Sequence, residues 1–223
     1  MSVANLDLKR EIIATCLRLE KLGFVIGTYG NVSTRIEDGL LITPSRVEYH
    51  QLTPADIVTV SLEGNVLNGR RLPSSELQVH LQIYLSRPDI GGIVHTHSIY
   101  ATTVSCIHES IPVIVEEQSQ VIGSVIRCTN YIPAGQHKRL GEEVARTLGN
   151  SMAVLLANHG AVSCGRTLAE AVFTAQIVER VAYIYLMTKA IGSAIPIPSE
   201  FVNSERERWL YKYGKAEDKA VDN

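Results

Sequence analysis

Leu8, Ile12, Ile13, Cys16, Leu17 and Leu19 recur at the spacing of one helical face, and Gly23 supplies a stop, so the chain is predicted to open on a helix. The polar, glycine-rich string GTYGNVSTR (27–35) reads as a turn-rich stretch. A short apolar run at Leu40, Leu41 and Ile42 predicts a strand, which Thr43-Pro44-Ser45-Arg46 breaks into a loop. Residues 57–61 predict another strand, with a hairpin turn at Gly64-Asn65. Leu72-Pro73-Ser74-Ser75 then leads into a helix whose stripe is Leu77, Leu81, Tyr84 and Leu85, closed by Pro88.

Residues 92–97 (GIVHTH) predict a strand, and 112–115 offer another. A helix is expected over 137–148, with Leu140, Val144 and Leu148 on one face. An apolar strand over 152–157 ends at Asn158-His159-Gly160. Thr167 and Glu170 form a capping-box pattern at the head of a long helix reaching about Lys189. The tail is polar but carries Trp209, Tyr211 and Tyr213. Interleaved helices and hairpin-connected strands predict one α/β domain, a mixed or antiparallel sheet covered by helices.

Composition narrows the function. With 223 residues, 45% of them hydrophobic, the chain can bury one substantial core. A net charge of −2 leaves no electrostatic footprint for nucleic acid. No run approaches the roughly 20 apolar residues that span a bilayer. The opening MSVANLDLKR mixes acid and base where a signal peptide needs an apolar run, so the expected location is cytoplasmic. Cys16, Cys106, Cys128 and Cys164 are scattered and form no CxxC pair, which predicts ordinary thiols in a reducing compartment.

Candidate chemistry centres on histidine. On a strand, residues i and i+2 share a face, so His95 and His97 present two imidazoles side by side. His159, at a strand end followed by glycine and small residues, is a candidate third ligand. Three protein ligands with one open position is the pattern of a catalytic zinc. Among seven histidines an HxH pair also arises by chance, and imidazole has many structural uses. His50, His80, His108 and His137 lack comparable partners and read as surface or helix residues.

Glu76 follows Ser74-Ser75 at a helix start. That triplet is either an ordinary cap complementing the helix dipole, or an anion seat with a general acid/base beside it. In GTYGNVS, Gly27 and Gly30 let the backbone approach a ligand, while Thr28, Asn31 and Ser33 offer hydrogen bonds; it is equally a plain turn. Arg46 either adds charge to the same anion or is simply solvated.

Taken in order, GTYGNVSTR, LLITPS, LPSSE, IVHTHS and ANHGAVSCG resemble the class II aldolase and adducin family over nearly the whole chain, and in particular its fuculose-phosphate aldolase branch. The resemblance extends into the tail at Tyr213-Gly214. It implies a three-layer α/β/α single domain, 1–223, with a central, largely antiparallel mixed sheet. It also implies a zinc site (Mn2+ or Co2+ being other divalent options) at His95, His97 and His159, with Glu76 as catalytic carboxylate that also approaches the metal at rest. The phosphate of a sugar-phosphate substrate would sit on Thr28, Gly30, Asn31, Ser45, Ser74 and Ser75. A homotetramer with sites between subunits is implied, the tail from about residue 200 carrying Tyr213 toward a neighbour's site.

Two departures from the branch stand out. Arg46 replaces the glycine of the TP loop, and Glu116 stands where a tyrosine assists proton transfer. The expected reaction is retro-aldol cleavage of a ketose 1-phosphate, of the fuculose or deoxypentulose type, to dihydroxyacetone phosphate and a short aldehyde. Tyr213 or Glu116 would handle the second proton. The alternatives are a metal-dependent epimerase, dehydratase or decarboxylase on a phosphorylated sugar or sugar acid, and a non-enzymatic adducin-type binding domain.

Overall fold

A computed structural model describes residues 3–213; Gly214 and the rest of the tail beyond it lie outside that range. The elements follow in the order α1 (Val3–Lys21), β1 (Asn31–Ile36), β2 (Gly39–Ile42), β3 (Val58–Val60), β4 (Val66–Asn68), α2 (Leu77–Ser86), β5 (Gly92–Thr96) and α3 (Ile99–Cys106). A π-helical turn (Gln118–Ile122) comes next, then β6 (Arg127–Cys128), α4 (His137–Leu148), β7 (Ala153–Leu156), β8 (Gly160–Gly165), α5 (Leu168–Ile191) and α6 (Ser199–Tyr211).

The strands form one eight-stranded sheet in the order β4-β3-β2-β1-β5-β8-β7-β6. All neighbours run antiparallel except β6 and β7. Successive side chains alternate between two cores. Leu40, Ile42, Ile93, Val154 and Leu156 pack toward α2 and α4, whereas Leu41, Val94, Ala153 and Leu155 pack toward α1, α3 and α5. This is the expected three-layer α/β/α arrangement. Burial on both faces also explains why β2 and β7 read as continuous apolar runs.

Three expectations need correction. The polar string 27–35 is only partly a turn, because Asn31–Ile36 is the strand β1, hydrogen-bonded to both β2 and β5. Its polar side chains are buried, or half-buried at Arg35, because each is satisfied. Ser33 bonds His80 and Tyr84, Thr34 bonds the Gly91 carbonyl at 3.1 Å, and Arg35 forks onto the Tyr84, Arg87 and Ile90 carbonyls. Hydrophobic periodicity is blind to a strand held by such partners.

Residues 112–115 form no strand. Pro112 has no N–H to offer a ladder; Ile114 N–H donates to the Gln118 side chain at 3.2 Å, and Val113 O accepts from Ile197 N–H at 2.8 Å. On α2, Leu85 is exposed, and the buried face is Val79, His80, Leu81, Ile83 and Tyr84. The helix itself starts at Leu77, with Glu76 at its capping position.

The strand β8 was hidden by its small residues, GAVSCG, all buried. They are small because the neighbours are close: a Cβ on Gly165 would fall 2.3 Å from Ala171 N, at the head of α5. The Thr167 hydroxyl caps that helix, accepting from Glu170 N–H at 3.2 Å, as the capping-box pattern predicts. Glu170 bonds back to Arg166 N–H, one residue earlier than the motif requires. The polar tail folds as α6, whose Trp209 stacks on Phe173 of α5 with ring centroids 6.2 Å apart. Among the described residues no helix is long and apolar enough to cross a membrane.

Candidate metal centre

β5 pairs with β8 so that Thr96 faces Ala161, which brings the end of one strand to the start of the other. His95 therefore projects from the last turn of pleat on β5, and His97 follows one residue past its end, its N–H held by the Phe24 carbonyl at 2.8 Å. His159 comes from the turn between β7 and β8. That turn needs a left-handed residue, supplied by Asn158 at φ 56, whose side chain accepts from His108 Nε2 at 2.5 Å.

The ligand atoms of His95, His97 and His159 all lie within 4.8 Å of one another, and the Nε2 atoms of His95 and His97 are 3.0 Å apart. Glu76 closes the group, with Oε2 3.2 Å from His95 Nε2 and Oε1 3.2 Å from His159 Nε2. Chemistry fixes the tautomer of His95. Its Nδ1 meets the Ala161 carbonyl at 3.0 Å, and a carbonyl only accepts, so Nδ1 carries the proton and Nε2 presents a bare lone pair. Burial, followed by the neighbouring imidazoles, pushes the pKa of both His95 and His97 down to about 3. Both rings are thus neutral near pH 7, the form that binds a metal.

Glu76 Oε1 is buried without a hydrogen bond. The bare His95 Nε2 and the Glu76 carboxylate, one of whose oxygens is orphaned, repel each other unless a cation stands among them. The donor set fits a divalent ion with nitrogen and oxygen ligands.

Around this point three loops converge. Gly30, at φ 92, lies against the His95 carbonyl, where a Cβ would come within 2.9 Å of that oxygen. Asn31 donates from Nδ2 to Glu76 Oε2 at 2.7 Å. The loop around Ser45 and the loop around Ser74 are tied by Ser45 N–H to Leu72 O and Ser74 N–H to Thr43 O, both 3.0 Å. Ser74 Oγ accepts from Glu76 N–H at 3.2 Å, while Ser75 and Arg46 are exposed. Thr28 sits at the exposed tip of the turn that Tyr29 N–H closes onto Ile26 O.

Two candidates are not brought to this centre. Glu116 is exposed on the short helical stretch that runs into the π-helical turn, where its carbonyl accepts from Ser119 Oγ at 3.0 Å. Tyr213 packs on Trp209, ring centroids 4.9 Å apart, and lines a cavity of about 290 Å³ with Arg166 and Glu170. Those two residues follow Gly165, at the far end of the β5–β8 pair from the histidines.

His50, His108 and His137 are on the surface as expected. His80 is not: it is fully buried and bonded to Asn31 and Ser33. The signal for it was its place four residues after Glu76, which on a helix shares a face with that position.

The chain matches the family model described as Class II Aldolase and Adducin N-terminal domain over residues 10–186. It is 42% identical over 193 residues to the L-fuculose phosphate aldolase of Escherichia coli, covering 86% of this chain and 89% of that one. It is 35% identical over 220 residues to a 5-methylthioribulose-1-phosphate/5-deoxyribulose-1-phosphate aldolase of Rhodospirillum rubrum, covering 99% and 97%. A solved L-fuculose 1-phosphate aldolase superposes with a TM-score of 0.89 at 33% identity, covering 95% of this chain and 98% of that chain.

Proposed function

The chain belongs to the class II aldolase and adducin family as a sugar-phosphate aldolase, and from that premise we propose that it cleaves a ketose 1-phosphate to dihydroxyacetone phosphate and a short aldehyde in a zinc-dependent reaction. The single observation that carries the proposal is the meeting of His95, His97, His159 and Glu76 at one point. Relatives named for fuculose and for deoxyribulose phosphates support a ketose phosphate as substrate.

In this reading His95, His97 and His159 hold the ion, with Glu76 beside it. When bound, it supplies Lewis-acid stabilisation of the negative charge that develops on the substrate's oxygens during cleavage. The phosphate rests on Gly30, Asn31, Ser45, Ser74 and Ser75, with Thr28 at the rim. The convergence of these loops around Glu76 supports that seat. Anchoring the phosphate spends remote binding energy on aligning the bond to be broken.

Glu76 delivers a proton to the carbon freed by cleavage, as a general acid/base. The proton on the cleaved hydroxyl needs a second carrier, Tyr213 or Glu116. Tyr213 of the same chain stands at the wrong end of the β5–β8 pair. With a rise of about 3.3 Å per residue, the length of that ladder separates it from the histidines. As the second carrier, Tyr213 would serve the site of a neighbouring subunit in a homotetramer of this chain; the alternative carrier is Glu116.

The test is product analysis by NMR with a panel of ketose 1-phosphates and metal-loaded protein. Two fragments are the expected result. One altered sugar would assign the chain to epimerisation, dehydration or decarboxylation, and full activity after exhaustive chelation would remove the metal from the reaction.

A further inference from the structure

Asn31 and His80 lie 49 residues apart in sequence and meet in the core beneath the metal centre. We infer that His80 is a positioning residue: it holds the Asn31 amide, and through it the Glu76 carboxylate, in one orientation by a directional chain of hydrogen bonds that begins at Tyr84. The inference rests on the aldolase reading for the chemistry it serves, but not for its geometry.

The direction of the chain follows from which atoms can donate. Glu76 Oε2 only accepts, so Asn31 turns Nδ2 toward it, at 2.7 Å. That leaves Asn31 Oδ1 facing His80 Nε2 at 2.5 Å. An amide oxygen also only accepts, so Nε2 carries the imidazole proton. In the neutral ring Nδ1 is then bare, and it takes the proton of the Ser33 hydroxyl at 2.6 Å. Ser33 Oγ in turn accepts from the Tyr84 hydroxyl at 2.9 Å. Every link is satisfied in one sense only: Tyr84 to Ser33 to His80 to Asn31 to Glu76.

The chain is walled off from water. His80 and Ser33 are fully buried, Tyr84 is 1% exposed and Asn31 4%. Burial drives the His80 pKa down to about 3, so the ring does not gain a second proton that would reverse the chain near neutral pH. An amide has two orientations of nearly equal shape, and only the hydrogen bonds distinguish them. Flipped, Asn31 would point its carbonyl at a carboxylate and its amide at a ring N–H. The carboxylate disfavours that state, and the Nε2–H of His80 reinforces the orientation it selects.

A buried histidine is often only a satisfied core residue, whose loss costs stability. What sets His80 apart is where its chain ends: on Glu76 Oε2, the oxygen 3.2 Å from His95 Nε2. Letting Asn31 turn releases that oxygen, and a misplacement of about 1 Å at a reacting group costs on the order of 10²-fold in rate.

The experiment compares wild type, His80→Leu, His80→Gln and Ser33→Ala, each zinc-loaded with L-fuculose 1-phosphate and each cobalt-substituted without substrate. His80→Leu should lower kcat by about 10²-fold with little change in KM, while His80→Gln, which keeps an N–H near the position of Nε2, should recover most of it. ¹⁵N NMR of the wild type should show His80 as the neutral Nε2–H tautomer at pH 7. The cobalt absorption spectrum should change in His80→Leu, through Glu76, and not in His80→Gln.

The opposite tautomer overturns the inference. So does equal loss in the Leu and Gln variants, or wild-type kcat in a folded His80→Leu. Should His80→Leu not fold, Ser33→Ala decides, with reduced kcat expected and an unchanged kcat overturning. A wild type that cleaves no ketose 1-phosphate defeats the aldolase reading alone; the tautomer and the cobalt spectra still decide the role of His80.

Discussion

Glu76 Oε1 stands 3.2 Å from His159 Nε2 across a gap that no hydrogen bond closes. The carboxylate thus touches two imidazoles, through Oε2 at His95 and Oε1 at His159, while one of its oxygens goes unsatisfied. Leaving a buried polar atom unpaired costs about 1–3 kcal/mol, and a cation among these groups removes the cost.

Glu76→Gln separates holding the ion from moving the proton. The three imidazoles remain, so metal content by elemental analysis should stay near that of the wild type. Turnover should fall by about 10²–10⁴-fold, because an amide cannot carry the proton. Full turnover in the variant would place the proton carrier elsewhere.

Metal should also stabilise the fold. Binding to the native state alone adds about 2.7 kcal/mol when free metal is about 100 times its Kd. Thermal melts of metal-stripped and reloaded protein should therefore show a raised Tm with Zn2+. His97→Ala, which removes one ligand, should shrink that rise.

Arg46 has a backbone φ of 58, a left-handed conformation that costs a non-glycine residue about 1–2 kcal/mol. Its side chain is exposed beside the Ser45 and Ser74 loops. Arg46→Gly relieves the strain but gives back about 0.5–1 kcal/mol in unfolded-state entropy, so Tm should hold or rise slightly. KM for the phosphorylated substrate should rise in both Arg46→Gly and Arg46→Ala if the guanidinium serves the phosphate. An unchanged KM in both variants would leave Arg46 without a part in binding.

Much of the scaffold was legible because its signals are local. The periodicity of α1, the hairpin glycine ahead of β4, the capping pair of α5 and the HxH on β5 each declare themselves within a few residues. What was not legible depends on partners far along the chain. Strand β1 is polar yet central because Ser33 and Arg35 find acceptors some 50 residues away. Strand β8 is made of small residues because α5 lies against it at backbone distance. His80 looked unpartnered for the same reason, since nothing near it in sequence announces Asn31. The metal triad was readable as a pair and a candidate; the fourth member, Glu76, becomes geometrically coherent only once β5, β8 and α2 are assembled.

The buried His80 ring also predicts how stability responds to acid. Its pKa falls from the ordinary 6.5 to about 3 in the fold, chiefly through burial. Between those values the unfolded chain binds a proton that the native state does not. Stability therefore falls as pH drops below 6.5, by about 1.4 kcal/mol per pH unit for this one group, and is flat in this term above it. Urea unfolding of metal-free wild type and His80→Gln between pH 7.5 and 5 should show the variant's slope shallower by about that amount. Parallel slopes would mean that the ring titrates normally.

The position of Tyr213 leads to the last prediction. In its own chain it lies beyond Gly165, on the cavity lined by Arg166 and Glu170, with the β5–β8 ladder between it and the histidines. If it carries a proton, it does so for another subunit. Glu76→Gln and Tyr213→Phe should each be poorly active alone, yet mixing them under conditions that exchange subunits should restore activity. A site works when its histidines and Glu76 come from the Tyr213→Phe chain and its tyrosine from the Glu76→Gln chain. Random assortment of equal amounts makes roughly a quarter of the sites complete in a closed symmetric oligomer. Recovery toward that level, with no gain when either variant is exchanged with itself, would place Tyr213 at a neighbour's centre. No recovery from a demonstrably mixed oligomer, together with a strong defect in Glu116→Gln, would move the second proton to Glu116.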